Sequence, residues 1–128
     1  IYYQKFSENE VFAEALLNTT FNQLFTYLIN ILGEELVTTN LLIDGDVSLV
    51  MQGMSFTTAI SKIELITANK EVFNLIKSGY GNFKVSQIIV EDSKIAMVIN
   101  EFVVTVRFSS VELSRTDVDG IFVKSIKA

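Results

Sequence analysis

The chain has 128 residues, of which 49% are hydrophobic, and it contains no histidine, cysteine, tryptophan or proline. Without histidine and cysteine it can form no Ser-His-Asp triad, no Cys–His pair and no zinc site built from imidazole and thiolate ligands. The length fits a single domain over residues 1–128, and the formal net charge of −5 disfavours binding to a nucleic-acid backbone.

Charge is unevenly distributed along the chain. Residues 1–61 hold one basic and seven acidic residues, a net of −6, whereas residues 62–128 hold nine basic and eight acidic residues, a net of +1. An acidic surface of this kind suits a cationic partner, a metal ion or solubility alone, and we favour solubility. No apolar run reaches the roughly 18 residues that a membrane span requires. The chain begins at Ile1 rather than Met, which leaves open a removed upstream signal or membrane anchor.

The first predicted element is a long helix over about residues 8–33. Ser7 and Glu10 have the spacing of a capping box, apolar residues follow at helical intervals, and Gly33 is a typical helix stop. The sequence leaves open whether this helix is broken near residues 18–20. Residues 36–43 are rich in apolar and β-branched side chains and therefore predict a strand.

The remainder of the chain predicts one further helix and several strands. Residues 69–78 place Val72, Phe73 and Ile76 on one helical face, and residues 47–51 fit either a strand or the start of a helix. The predicted fold class is α+β, with a long N-terminal helix, a second helix and a mixed or antiparallel sheet of about five strands. Strands are predicted over residues 59–67, 83–90, 95–99, 102–108 and about 120–126.

Three short motifs have both a ligand-binding and a structural interpretation. Asp44, Gly45 and Asp46 could direct two carboxylates at one cation, but a turn or a strand-to-helix corner explains them without a ligand. Residues 117–120 (DVDG) look like the start of a calcium loop whose other ligands are missing, so a turn is favoured. Residues 79–81 (GYG) lack the spacing of a phosphate loop and are more typical of a helix stop.

One stretch carries a resemblance to a known family. Residues 41–67 read LLIDGDVSLVMQGMSFTTAISKIELIT, which resembles the core of small nucleotidyltransferases of the abortive-infection and antitoxin-linked kind. In that family a strand ends in a glycine corner, a short helix follows, and the next strand carries Asp-x-Asp. The resemblance implies that the corner backbone holds the nucleotide phosphates and that the acidic pair holds magnesium. The likeness extends over about residues 36–124 and is one of pattern more than identity.

Transferred to this chain, the resemblance assigns nucleotide-binding roles to Gly45, Ser48 and Glu64. It makes Asp44, Asp46 and Glu64 the candidate ligands of a Mg²⁺ ion. A helix over about residues 46–53 and a cleft beside Gly45 that Glu64 faces are implied as well. A protein of this class would be cytoplasmic.

The departures from that family concern the catalytic acids. Lys62 stands where the first metal-binding Asp is expected, Glu64 takes the second place, and the strand over 102–108 contains no acid for the third. Because two-metal phosphoryl transfer needs carboxylates to hold both ions, we predict no catalytic residue and no obligatory cofactor. The predicted function is that of a non-catalytic nucleotidyltransferase-like binding domain, with a protein partner or a second copy of the chain as the expected binding partner.

Two other interpretations compete with this one. The predicted order of helix, two strands, helix and two strands resembles the circularly permuted ferredoxin-like domains of type IV pilus and type II secretion inner-membrane assembly proteins. That resemblance is carried by residues 63–90, needs no catalytic acids and implies an extracytoplasmic assembly module. It also implies a strand at 46–53 paired with 36–43, and exposed sheet edges for homologous partners. The third interpretation is a phage or mobile-element accessory protein.

Overall fold

The structure is a computed structural model that describes residues 14–54, 59–111, 113–118 and 121–125. In those residues it contains α-helices α1 (Ala15–Leu32), α2 (Glu34–Asn40), α3 (Gly45–Met51) and α4 (Lys70–Gly79), and a 3₁₀ turn at Tyr80–Phe83. The strands are β1 (Leu42–Asp44), β2 (Lys62–Thr67), β3 (Gln87–Val90), β4 (Lys94–Ile99), β5 (Phe102–Phe108), β6 (Arg115–Val118) and β7 (Ile121–Lys124).

All seven described strands join one mixed sheet in the order β3-β4-β5-β2-β1-β7-β6. Two neighbouring pairs are parallel, β2 with β5 and β1 with β7, and the other pairs are antiparallel. The α+β class is confirmed, but the predictions of about five strands and of a single further helix are wrong. β6 escaped prediction because an edge strand with charged residues shows no alternation of apolar side chains.

The long N-terminal helix is present as α1 and continues without a break through residues 18–20. The Glu14 carboxylate accepts hydrogen bonds from the first-turn N–H groups of Leu16 and Leu17, and the Thr20 hydroxyl donates to the Leu16 carbonyl. Its end at Gly33, where φ is 93°, is as predicted. The predicted start near residue 8 and the capping box lie outside the described residues.

The strand predicted over residues 36–43 is wrong, because most of that segment forms α2. Two glutamates occupy the first turn of α2, where negative charge interacts favourably with the helix dipole. The side chains of Thr38, Thr39 and Asn40 each donate a hydrogen bond of 2.6 to 2.8 Å to a carbonyl four residues earlier. These local hydrogen bonds satisfy side chains that otherwise favour extended structure, and a strand begins only at β1.

The other predicted elements need smaller corrections. The helix over 69–78 is confirmed as α4, capped by the Asn69 side chain, with Val72, Phe73 and Ile76 buried. The strand predicted over 83–90 begins only at β3, since Phe83 is buried in the 3₁₀ turn. The DVDG motif lies partly outside the described residues, and its first two residues belong to β6 instead of a turn.

The core lies on one face of the sheet, against the helices. Alternate strand residues point into it, and β5 shows the pattern most clearly, with Phe102, Val104 and Val106 buried and Val103 and Arg107 exposed. Side chains from all four helices belong to the same buried cluster. The residues between these core positions point to the other side, which we call the open face.

Candidate functional site

The first feature of the site is the sharp corner between β1 and α3. Asp44 is the last residue of β1, and α3 begins at the next residue, Gly45, whose φ is 65°. That left-handed conformation favours glycine, because a side chain would be strained there. The antiparallel pairing of β1 with β2 sets Glu64 opposite Asp44, and a Cβ atom on Gly45 would overlap the Glu64 carboxylate. Glycine is therefore required at the corner for two independent reasons.

The sequence allowed either a helix or a strand after the corner, and the structure has a helix there. Residues 45–51 form α3 and residues 34–40 form α2. The strand at 46–53 paired with 36–43, which the pilus and secretion resemblance implies, is therefore wrong. The helix that the nucleotidyltransferase resemblance implies at this place is present, although it ends two residues earlier.

The third strand of the site is β5, which lies parallel to β2 on the side away from β1. Its register sets Thr105 opposite Glu64 and Arg107 opposite Ile66. Arg107 reaches across β2 to β1, where its Nη2 atom lies 2.9 Å from Oδ2 of Asp44. The place where the resemblance implies a third acid is therefore occupied by a hydroxyl and a guanidinium group.

The open face around the corner carries two acidic and two basic side chains. Asp44 is paired with Arg107, and Lys62 lies on β2 two residues before Glu64. Glu64 is half-buried, and no side chain of the described residues forms a hydrogen bond or ion pair with its carboxylate. Asp46 is exposed on the first turn of α3. In the described part of the chain, no three acidic side chains come close enough together to hold a metal ion.

Ser48, the remaining candidate, is directed into the protein. It is buried on α3, and its hydroxyl donates to the Lys124 carbonyl at 2.8 Å. The Gln52 amide donates to the Ser48 hydroxyl at 2.9 Å and to the same carbonyl at 2.8 Å. These bonds fasten α3 to the end of β7, so Ser48 holds the corner helix in place. The structure thus brings Gly45, Asp44 and Glu64 together and separates Ser48 from them.

A cleft of about 430 Å³ lies on the same open face, but its lining includes neither Gly45 nor Glu64. Leu42 and Ile66 line it; both are buried, yet neither belongs to the main core, and Ile66 is the cross-strand neighbour of Arg107. Ser109 and Val111, from the segment after β5, form part of its wall. This cleft could not be predicted from the sequence, because its lining comes from segments far apart in the chain.

A second arginine stands at the cleft. Arg115 lines it, and its guanidinium carbon lies 4.7 Å from the centre of the Phe122 ring, a cation–π contact. The same guanidinium donates a hydrogen bond to the Thr39 carbonyl. These two contacts hold the charge of Arg115 in a fixed position at the site. Neither arginine was singled out by the sequence analysis; the alternation in β5 that exposes Arg107 was the one available signal.

Comparisons of the chain with protein-family models, with characterised proteins and with solved structures return no match. No helix in the described ranges combines the length and the apolar character needed to cross a membrane.

Proposed function

We propose that this chain is a non-catalytic nucleotidyltransferase-like domain that binds a nucleoside triphosphate on the open face of its sheet. The observation that carries the proposal is the contact between the Gly45 corner and the Glu64 carboxylate. A strand that ends in a glycine corner, followed by a short helix and a strand with an acid facing the corner, is the arrangement that the resemblance associates with phosphate and magnesium binding.

One Mg²⁺ ion fits the groups present, whereas two do not. Mg²⁺ in nucleotide sites is commonly held by one or two carboxylates together with the phosphates of the ligand. Glu64 is half-buried against the corner and no described side chain neutralises it, so Glu64 and the nucleotide phosphates would hold the ion jointly. When bound, that ion would neutralise phosphate charge. Among the described residues, too few carboxylates lie together to bind the ion without the nucleotide.

The charged side chains on the open face favour phosphate binding, but they do not supply the carboxylates that catalysis needs. Lys62 and Arg107 lie on the same face as Glu64, where their charges attract phosphate groups. Two-metal catalysis needs further carboxylates to hold the second ion, and Asp44 is already paired with Arg107. The cleft on the same face has apolar walls at Leu42 and Ile66, and its volume lies within the range of roughly 300–1,000 Å³ typical of small-ligand sites.

Calorimetric titration with each of the four nucleoside triphosphates in excess Mg²⁺ tests this proposal. We expect saturable binding to the native chain, and binding at least about tenfold weaker to Glu64→Gln, because a neutral amide is a poor Mg²⁺ ligand. Glu71→Gln is the matched control, since Glu71 is exposed on the first turn of α4, on the helical side of the sheet. Mg²⁺ without nucleotide should give no binding.

Two results would contradict the proposal. An absence of heat change at millimolar nucleotide would show that the domain does not bind nucleotide, and protein binding would then be the remaining candidate function. Release of phosphate or pyrophosphate during prolonged incubation with Mg²⁺ and nucleotide would show that the domain is catalytic. Circular dichroism of both variants separates loss of binding from loss of folding.

Protein binding is the second candidate function, and the exposed edge of the sheet supports it. Ile89 and Val90 of β3 remain 65% and 42% exposed, at an edge that no other described strand covers. An uncovered edge strand can accept a strand from another chain. Exposed sheet edges are also what the pilus and secretion resemblance implies. The phage or mobile-element interpretation implies no particular structural feature, so the described residues do not test it.

A further inference from the structure

The two edges of the sheet are protected to different degrees. β6 at one edge carries Arg115 and Asp117, and charged side chains on an edge discourage pairing with other chains. β3 at the other edge has the sequence QIIV, with no charged residue and no proline. Its Ile89 is 65% exposed, one of the largest exposures of any apolar side chain described.

The outer side of β3 presents backbone groups that no other described strand pairs with. The Glu91 N–H donates to the Lys94 carbonyl of β4 at 2.8 Å. Successive residues of an antiparallel strand direct their hydrogen bonds to opposite sides. Residue 89 therefore bonds toward β4, as residue 91 does, whereas the N–H and C=O groups of Ile88 and Val90 point away from the sheet.

These positions suit an antiparallel arrangement about a twofold axis at Ile89. Ile88 of each copy would then face Val90 of the other, which gives four hydrogen bonds between the two strands. Ile89 would face itself in a pair without hydrogen bonds, where the side chains approach most closely. Two exposed isoleucines would thereby be removed from water at the centre of the contact.

The charges next to β3 favour the same arrangement. β3 is preceded by uncharged Ser86 and followed by Glu91 and Asp92. About a twofold axis at Ile89, Gln87 faces Glu91 of the other copy. A parallel pairing would instead place each acid opposite its own copy, and like charges directly opposite each other are destabilising. The charges next to the edge therefore oppose a parallel copy and allow an antiparallel one.

We propose that β3 pairs with β3 of a second copy of this chain, antiparallel about a twofold axis at Ile89, so that the two sheets become one continuous sheet. The contact is isologous and closes on itself, and the resulting assembly is a dimer. It goes beyond nucleotide binding, because β4 separates β3 from the strands of the nucleotide site. Four hydrogen bonds and three apolar cross-strand pairs form a small interface, so the association is reversible and depends on concentration.

Sedimentation equilibrium over a wide range of protein concentration tests the pairing. We expect a monomer–dimer equilibrium for the native chain, and a dissociation constant at least about tenfold higher for Ile89→Lys, which places two like charges at the axis. Val103→Lys is the matched control: Val103 is 40% exposed on the same face but lies on the interior strand β5, and its equilibrium should be unchanged. Circular dichroism verifies that each variant is folded.

A charge exchange tests the register and remains informative if Ile89→Lys fails to fold. Gln87→Glu should weaken dimerisation because it places an acid opposite Glu91 of the other copy, and adding Glu91→Lys to that variant should restore it. A native chain that stays monomeric at every concentration overturns the proposal. So does a dimer that neither Ile89→Lys nor Gln87→Glu weakens. Nucleotide titrations of the monomeric variants keep a failure here distinct from a failure of the nucleotide proposal.

Discussion

The two faces of the sheet are built from the same strands but differ in what covers them. In β2, Ile63 and Leu65 point into the helical core, whereas Lys62 and Glu64 between them point to the open face. The core face is covered by helices and is apolar. The open face carries an ion pair, a half-buried carboxylate and a cleft. This difference shows that alternation along a strand lets one sheet separate the residues that stabilise the fold from those that can bind a ligand.

The largest contrast between the faces is expected from truncating a core side chain. Phe73 is fully buried between the helices and the sheet, so we expect Phe73→Ala to reduce the free energy of unfolding by about 3–5 kcal/mol. Val103→Ala on the open face should change it by less than about 1 kcal/mol, since Val103 is 40% exposed. Urea unfolding measures both, and similar losses from the two variants would contradict the assignment of the faces.

A smaller but more specific effect is expected at the corner that joins the faces. Gly45→Ala should cost about 2–3 kcal/mol, because alanine is strained at a φ of 65° and its methyl group displaces the Glu64 carboxylate. Glu64→Ala in the same chain should recover the part due to the overlap and leave about 1 kcal/mol for the backbone strain. A double-mutant cycle from urea unfolding measures the coupling, and strictly additive losses would show that the two residues do not touch.

Ser48 tests whether a buried hydroxyl near the corner belongs to the core or to the site. Ser48→Ala should cost about 1 kcal/mol of stability, because the Gln52 amide still donates to the Lys124 carbonyl after the hydroxyl is lost. Nucleotide affinity should remain as in the native chain. Unchanged stability together with lost nucleotide binding would place Ser48 in the ligand site.

The smallest effect is expected from the ion pair on the open face. The Arg107 side chain is 45% exposed and that of Asp44 is 18% exposed, so solvent screens their attraction. A double-mutant cycle with Arg107→Ala and Asp44→Ala should give a coupling energy of about 0.5 kcal/mol that decreases as salt is added. A coupling of several kcal/mol that is insensitive to salt would contradict this, because it would mean that the pair is buried and that this face of the sheet is shielded from solvent.

The elements with a regular apolar pattern could be predicted from the sequence. β5 alternates along its whole length, and α4 has both an Asn cap and an apolar stripe, so both were found with nearly correct boundaries. α2 was predicted as a strand because its threonines favour β structure in general, and their hydrogen bonds to the preceding turn become visible only in the fold. β6 has no apolar alternation and exists because it pairs with β7.

The candidate site was predictable only in part. The approach of Glu64 to Gly45 was expected only from the nucleotidyltransferase resemblance, which covers one continuous stretch of the chain. The pairing of Arg107 with Asp44 was not, because the two residues are 63 positions apart and meet only when β5 pairs with β2. The cleft depends in the same way on segments that only the complete sheet brings together.

The most direct test of the account is to record the backbone amide NMR spectrum of the ¹⁵N-labelled chain while Mg²⁺ and ATP are added. The account predicts saturable shifts confined to the open face, at Gly45, Glu64, Thr105 and Arg107, with α4 unaffected. Shifts centred on the helical side, or a spectrum that millimolar ATP leaves unchanged, would contradict the claim that the open face binds a nucleotide.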